Sequence, residues 1–312
     1  MLKHDLISKY IRPLSPNPTS LHASGQLKET VRCVLFDVYG TLFISASGDI
    51  GVAGQVSRQT DQLKNLLQTF GIQKAPDLIL EAFFATITAE HEEQKENGVD
   101  FPEVEIDRIW MRVLKSSDLE LIRAFALEFE LIVNPVYPMP NLEKTLAGCK
   151  ALNLLMGIIS NAQFYTPALF HWFLGSHPEH LGFHPDLLFY SYRCGYAKPS
   201  AHMFQLAAEN LKHMNIPAQA ALYLGNDMLN DIYPAQKIGF QTALFAGDAR
   251  SLRLRKDIPE CSNLSADIVI TDLEQLLDHI RNAGSSFSAT KTQRHKIGRK
   301  RQNTQFQKTR DK

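Results

Sequence analysis

Hydrophobic positions along the chain fall into two rhythms. Between about residues 54 and 134, apolar side chains recur every three or four positions, as in Leu63, Leu66, Leu67 and Phe70 and again in Ile106, Ile109, Trp110 and Val113. That spacing lines one face of an α-helix. Gly71, Gly98 with Pro102, and the run Ser116, Ser117, Asp118 punctuate the block, which predicts a bundle of amphipathic helices with short joints. From Pro138 onward the rhythm changes. Short apolar runs at 156–160, 187–191, 221–225, 242–246 and 267–271 alternate with helical segments at 141–153, 165–174, 200–213, around 230–238 and 272–282. One further apolar run, Cys33–Phe36, stands before the helical block. Runs without polar alternation read as strands buried on both faces, and regular βα alternation implies a parallel sheet with right-handed crossovers.

The expected fold class is therefore α/β: a doubly wound, Rossmann-like parallel sheet core interrupted by an inserted α-helical cap domain. An irregular arm at 1–30, with Pro13, Pro16 and Pro18, precedes a core made of 31–45 and 138–284. The cap spans 46–137 and begins with a glycine-bearing link (Gly48, Gly51, Gly54). A basic tail at 285–312 closes the chain.

Charge sharpens this picture at one end only. The whole chain is neutral, yet residues 290–312 hold nine Lys or Arg and one Asp, leaving the remainder at −8. Almost no apolar residue interrupts that tail, so it is expected to be disordered and able to contact a polyanion. Hydrophobic residues make up 44 % of the chain, but no run approaches the length of a membrane span. Charges and prolines occupy the first residues, where a secretory signal needs an apolar core. Cys33, Cys149, Cys194 and Cys261 lie far apart without a C-x-x-C pair, which speaks for reduced thiols and a cytoplasmic location and against zinc.

Chemistry-bearing residues gather at the predicted strand ends. Asp37 follows the run Cys33–Phe36, and Gly40 and Thr41 turn the chain just beyond it. A carboxylate at the carboxyl end of a parallel strand is well sited to attack an electrophile. Ser160 and Asn161 end the 156–160 strand with a hydroxyl and an amide suited to an anionic oxygen. Lys198 precedes Pro199, and its ammonium would balance a carboxylate nucleophile and a bound anion. After the 221–225 strand come Asn226, Asp227, Asn230 and Asp231, oxygen donors of the kind that hold Mg²⁺ with waters retained. Four strand ends in one sheet thus supply an acid, a hydroxyl with an amide, a base and further acids.

The order D-x-x-G-T, S-N, K-P and G-N-D-x-x-N-D, with helices inserted after the first motif, resembles the haloacid dehalogenase-like hydrolase superfamily over residues 32–282. The resemblance implies Asp37 as nucleophile, forming an aspartyl ester that water hydrolyses. It implies Gly40, Thr41, Ser160, Asn161 and Lys198 around the phosphate or carboxylate of a small-molecule substrate. Asp37, Asn226, Asp227 and Asp231 become the candidate ligands of Mg²⁺, and the cap closes over the pocket.

Two motifs point in different directions. Phosphatases of the superfamily carry a second Asp two residues after the nucleophile; here that position is Tyr39, as in its dehalogenases. Those dehalogenases are metal-independent, with a neutral last motif, a Tyr where this chain has Phe204, and a cap arginine in a region that here offers Lys64 and Arg58. The acidic G-N-D-M-L-N-D reads as phosphatase, although its usual metal Asp is Asn226, and which of Asn226, Asp227 and Asp231 would bind the metal stays open. A phosphoryl transferase without a general acid still works on good leaving groups. The expectation is Mg²⁺-dependent hydrolysis of a small phosphorylated metabolite, with 2-haloacid dehalogenation or non-catalytic ligand or nucleic-acid binding as alternatives. His91, Trp110, His177 and His180 are read as solvated or core residues.

Overall fold

The computed structural model describes residues 9–47 and 60–284. Among them the strands, in chain order, are β1 (Ser24–Gly25), β2 (Cys33–Phe36), β3 (Phe43–Ser45), β4 (Val136–Pro138), β5 (Leu155–Ser160), β6 (Phe183–Tyr190), β7 (Ala221–Gly225), β8 (Gln241–Phe245) and β9 (Ile268–Ile270). Seven of these form one sheet in the order β1-β9-β8-β7-β2-β5-β6. All neighbours pair in parallel except β1, which runs antiparallel to β9 along the edge.

Burial on both faces explains the uninterrupted apolar runs. Val34 and Phe36 of β2 point into one layer, with Leu142 and Leu146 of α5 (Leu142–Ala151), Phe170 of α6 (Thr166–Leu174) and Leu277 of the closing helix at 275–284. Cys33 and Leu35 point into the other, against Phe204 and Leu211 of the helix His202–His213 and Ala235 of the helix Tyr233–Ile238. Helices on both faces of a mostly parallel sheet make the doubly wound, Rossmann-like arrangement that the βα alternation predicts.

Between β3 and β4 lie α1 (Thr60–Thr69), α2 (Pro76–Glu96), α3 (Ile106–Leu114) and α4 (Leu119–Val133). They share a core of their own, centred on Trp110, whose ring stacks on Phe83 at 4.2 Å and meets Phe125 edge-on at 4.8 Å. The strands β3 and β4 pair antiparallel at the base of this block. The link carrying Gly48, Gly51 and Gly54, and the basic tail, lie outside the described residues.

Several boundaries differ from expectation. The strand expected at 187–191 begins four residues earlier, and a register shift opposite Met156 and Ile158 absorbs the extra length. The closing helix starts at 275 because Asp272 accepts the Glu274 amide at 2.8 Å and caps the turn before it. The arm is not wholly irregular, since it contributes β1. It also straps the core to the helices. Asn17 bonds through its amide to Asp248 at 3.0 Å, and the Tyr10 hydroxyl donates to Glu128 of α4 at 2.6 Å. Among the described residues no helix is long and apolar enough to cross a membrane.

Candidate active site

Strand β2 has β5 on one side and β7 on the other, so the chain's crossovers diverge there. Ligands of open α/β sheets bind at such a switch point, outside the carboxyl ends of the strands. This one order of strands brings together Ser160, the last residue of β5, with Asp37 and Asn226, which directly follow β2 and β7. The Asp37 amide still donates to Leu224 of β7 at 2.9 Å, which fixes its backbone to the sheet. Beyond it the amides of Leu42 and Phe43 both bond to the Val38 carbonyl at 2.9 Å. Gly40 completes the turn at φ +78°, and a Cβ there would stand 2.5 Å from Ser251 and 2.6 Å from the Asn226 amide. Only glycine admits both the backbone and the approach.

The Asp37 carboxylate is 5 % exposed. Its Oδ1 accepts from Lys198 Nζ at 2.7 Å and Ser160 Oγ at 2.9 Å, while Oδ2 lies 3.5 Å from Thr41 Oγ1. Lys198 Nζ also donates to Asp231 Oδ1 at 2.5 Å and to the Tyr223 hydroxyl at 3.2 Å. Burial by itself would lower the Lys198 pKa; the coulombic pull of Asp231 and Asp37 outweighs it and holds the ammonium charged. Burial pushes the Asp231 carboxyl up, with Lys198 opposing. The Tyr223 hydroxyl, raised by burial and by Asp231, stays protonated. Tyr223 was not anticipated, because a tyrosine within an apolar strand reads as core.

Three of the expected residues have partners within the protein. Asn161 Oδ1 accepts the Lys198 backbone amide at 2.7 Å and Nδ2 donates to the Lys198 carbonyl at 3.2 Å, while the residue also lines the cavity. It clamps the loop that aims Lys198. Asp227 caps the π turn Met228–Ile232 through the Leu229 and Asn230 amides and pairs with Arg255 at 2.7 Å. Asp231 gives Oδ1 to Lys198, and its Oδ2 accepts the amides of Asn226 and Asp227, both at 2.9 Å. Both carboxylates are thus engaged by protein groups while lining the cavity with Asp37.

Asn226 faces Thr41, which also approaches Asp37. Its Nδ2 donates to the Ser251 carbonyl at 2.6 Å, which leaves Oδ1 facing Thr41 Oγ1 at 3.3 Å, the same hydroxyl that approaches Asp37 Oδ2. One hydroxyl hydrogen serves only one of these two oxygens at a time. A carboxylate oxygen and an amide oxygen converging on one point fit Mg²⁺, which keeps several waters and takes one or two carboxylates plus substrate phosphate. Among the described residues no cluster of three His, Cys, Asp or Glu stands ready for a metal.

Asp37 opens into a cavity of about 510 Å³ that runs up between the α1–α4 block and the sheet. Phe83, Phe84, Ile87, Trp110 and Phe129 form its apolar wall. His91 borders the cavity half-buried, unlike the solvated reading, whereas Trp110 is fully buried in the helical core, as read, and that core forms part of the cavity wall. Tyr39 lines it too, its hydroxyl 2.9 Å from Thr166 Oγ1, with burial first and Glu130 second raising its pKa. A phenol so placed does not surrender a proton near neutrality. Glu103 and Glu130 also line the cavity, both pushed up by burial. The signal for Glu130 was an acid inside the buried run of α4; Arg255 and Ser251 left no sequence signal at all. Phe204 is core, edge-on to Tyr223 at 5.0 Å, and Arg58 lies outside the described residues.

Residues 31–239 match the family model described as haloacid dehalogenase-like hydrolase. A glyceraldehyde 3-phosphate phosphatase of Methanocaldococcus jannaschii is 29 % identical over 147 residues, which span 46 % of this chain and 57 % of that relative. The structure of a 2-haloacid dehalogenase from Pseudomonas syringae pv. tomato superposes on 81 % of this chain and 99 % of its own, with a TM-score of 0.50 and 19 % identity. It shares the fold.

Proposed function

The chain belongs to the haloacid dehalogenase-like hydrolases, and on that premise we propose that it hydrolyses a small phosphorylated metabolite through an aspartyl-phosphate on Asp37. The observation that carries this reading is the Asp37 carboxylate itself, buried, held by Lys198 and Ser160 on one oxygen and facing Thr41 and Asn226 with the other. The phosphatase relative supports phosphorus as the electrophile.

The residues divide the work. Lys198 pairs with Asp37 and places positive charge where the phosphoryl group must sit, and Asp231 and Tyr223 hold that ammonium in place. Thr41, Ser160 and the Gly40 turn offer donors and close backbone approach to the phosphoryl oxygens. Attack by the Asp37 carboxylate forms the aspartyl-phosphate as the leaving group departs; water then attacks phosphorus, releasing phosphate and restoring Asp37. Mg²⁺ would be held by Asp37 and Asn226 and would supply charge against the phosphoryl oxygens. The helices of 46–137 act as the cap that excludes water and selects the substrate. Tyr39 favours a second reading, 2-haloacid dehalogenation, because a departing halide needs no proton.

The test is turnover of p-nitrophenyl phosphate, acetyl phosphate and L-2-chloropropionate, each with Mg²⁺ and with EDTA. Mg²⁺-dependent phosphate release that disappears in Asp37→Asn supports the proposal. Chloride release indifferent to EDTA replaces it with the second reading. The basic tail at 285–312 has the charge for a polyanion contact apart from this chemistry, so deleting 290–312 is expected to leave turnover intact.

A further inference from the structure

Breaking a phosphate ester of an ordinary alcohol needs a proton for the departing oxygen, and the residue two places after Asp37 does not supply one. The cavity contains other acids. Asp231 has both oxygens engaged by Lys198 and backbone amides, and Asp227 by Arg255 and the π turn. Glu103 accepts from Ser191 Oγ at 2.7 Å, the Val104 amide at 2.9 Å and Gln163 Nε2 at 3.3 Å, so both its oxygens are structural. The half-buried imidazole of His91 is pushed down by burial and then by Lys95 of its own helix, with Glu90 opposing.

Glu130 differs. It lies on α4, is 8 % exposed and borders the same cavity as Asp37. No ion pair with a cation is formed by Glu130 among the described residues. Asn134 Nδ2 donates to its Oε1 at 3.1 Å, and Asn134 is itself pinned by Ser45 Oγ at 2.8 Å on β3. The Tyr165 phenol, buried beside the same cavity, acts on the carboxyl as well. Tyr39 lines the same cavity as both carboxyls, and after burial Glu130 is the larger and Asp37 a smaller influence raising its phenol.

Resting on the reading of Asp37 as nucleophile, we infer that Glu130 is the acid–base group of this site, delivered from the helical block in place of an acid beside Asp37. As the bond from Asp37 to phosphorus forms, the bond from phosphorus to the leaving oxygen breaks, and the Glu130 carboxyl gives that oxygen its proton. The resulting carboxylate then takes a proton from the water that attacks the aspartyl-phosphate. Phosphate and alcohol leave, and Asp37 and protonated Glu130 are restored. Burial supplies the proton-retaining state, opposed by Asn134 and Tyr165. The titratable groups coupled to Glu130 are Tyr39 and Tyr165, both phenols pushed up first by burial, with Glu103 also acting on Tyr165. The cap half of the cavity presents aromatic and aliphatic walls with these neutral donors. The substrate class is accordingly a monophosphate ester of an apolar, unactivated alcohol, a wider range than activated phosphates alone.

The experiment compares phenyl phosphate with acetyl phosphate, whose leaving group needs no proton. In Glu130→Gln, kcat/KM for phenyl phosphate is expected to fall about 10²-fold or more, the scale of a lost general acid, and to fall further than kcat/KM for acetyl phosphate, which loses only the help given to the water step. In the unmodified protein, phenyl phosphate turnover should decline on the alkaline side of its pH profile and acetyl phosphate turnover should not; this measurement needs no variant to fold. Equal losses on both substrates, or identical pH profiles, would overturn the assignment. Asp37→Asn separates the two layers of argument. If it abolishes both reactions while Glu130→Gln spares both, only the role of Glu130 fails; if it abolishes neither, the nucleophile fails and Glu130 with it.

Discussion

Asp37 and Asp231 share one ammonium: Lys198 Nζ lies 2.7 Å from the first and 2.5 Å from the second. All three side chains are almost fully buried. Removing the cation leaves two carboxylates uncompensated in a low-dielectric site. Lys198→Met is therefore expected to cost about 3–5 kcal/mol of stability and to abolish turnover. Denaturant midpoints and initial rates on acetyl phosphate check both halves.

Asn226→Asp tests the metal side. The substitution sets a carboxylate oxygen against the Ser251 carbonyl, where the amide now donates at 2.6 Å. The variant should melt lower than the parent without Mg²⁺ and gain more on its addition, and its turnover should saturate at lower Mg²⁺. Thermal shift and Mg²⁺ titrations read this directly. Equal Mg²⁺ responses in parent and variant would remove Asn226 from the metal site.

Gly40→Ala places a methyl group into Ser251 and Asn226 at a backbone angle that alanine resists. A loss of about 1–3 kcal/mol follows from the strain alone, and turnover should fall with it because Asn226 must move. Comparison with Gly71→Ala controls for conformation, since that glycine also has positive φ but open space around it.

Tyr39→Phe should change phenyl phosphate turnover by only a few-fold, because the phenol bonds to Thr166 and holds its proton. Tyr39→Asp, which returns an acid next to the nucleophile, should raise it. A large loss in Tyr39→Phe would make the phenol itself a participant.

Burial raises the carboxyls of Glu103 and Glu130 in the folded protein. Between the ordinary carboxyl range and those raised values the folded chain keeps protons that the unfolded chain has released. Stability therefore falls as pH rises through that window, and the stabilising contribution is complete only below it. Glu130→Gln should flatten this part of the melting-temperature profile against pH.

Much of the core was legible because its chemistry is local. Uninterrupted apolar runs such as Ala221–Gly225 can only be strands buried on both faces, and the polar residues that end them must lie along one edge. What was not legible depends on partners distant in the chain. Asp227 and Asp231 read alike in sequence, yet one meets Arg255 and the other Lys198, and no spacing rule announces either pairing. Asn161, expected to grip an anion, also grips the backbone of Lys198, a contact set by how two loops meet. Glu130 sits in an apolar helix run where an acid is an anomaly, and only the cavity gives that anomaly a use.

The paired strands Phe43–Ser45 and Val136–Pro138 bring the two ends of the intervening chain side by side. A segment that starts and finishes at neighbouring points can be lengthened, trimmed or exchanged without disturbing the strand order on which Asp37, Ser160 and Asn226 depend. If Glu130 lies within that exchangeable segment while the nucleophile lies outside it, selection can retune which alcohols depart independently of how phosphorus is attacked.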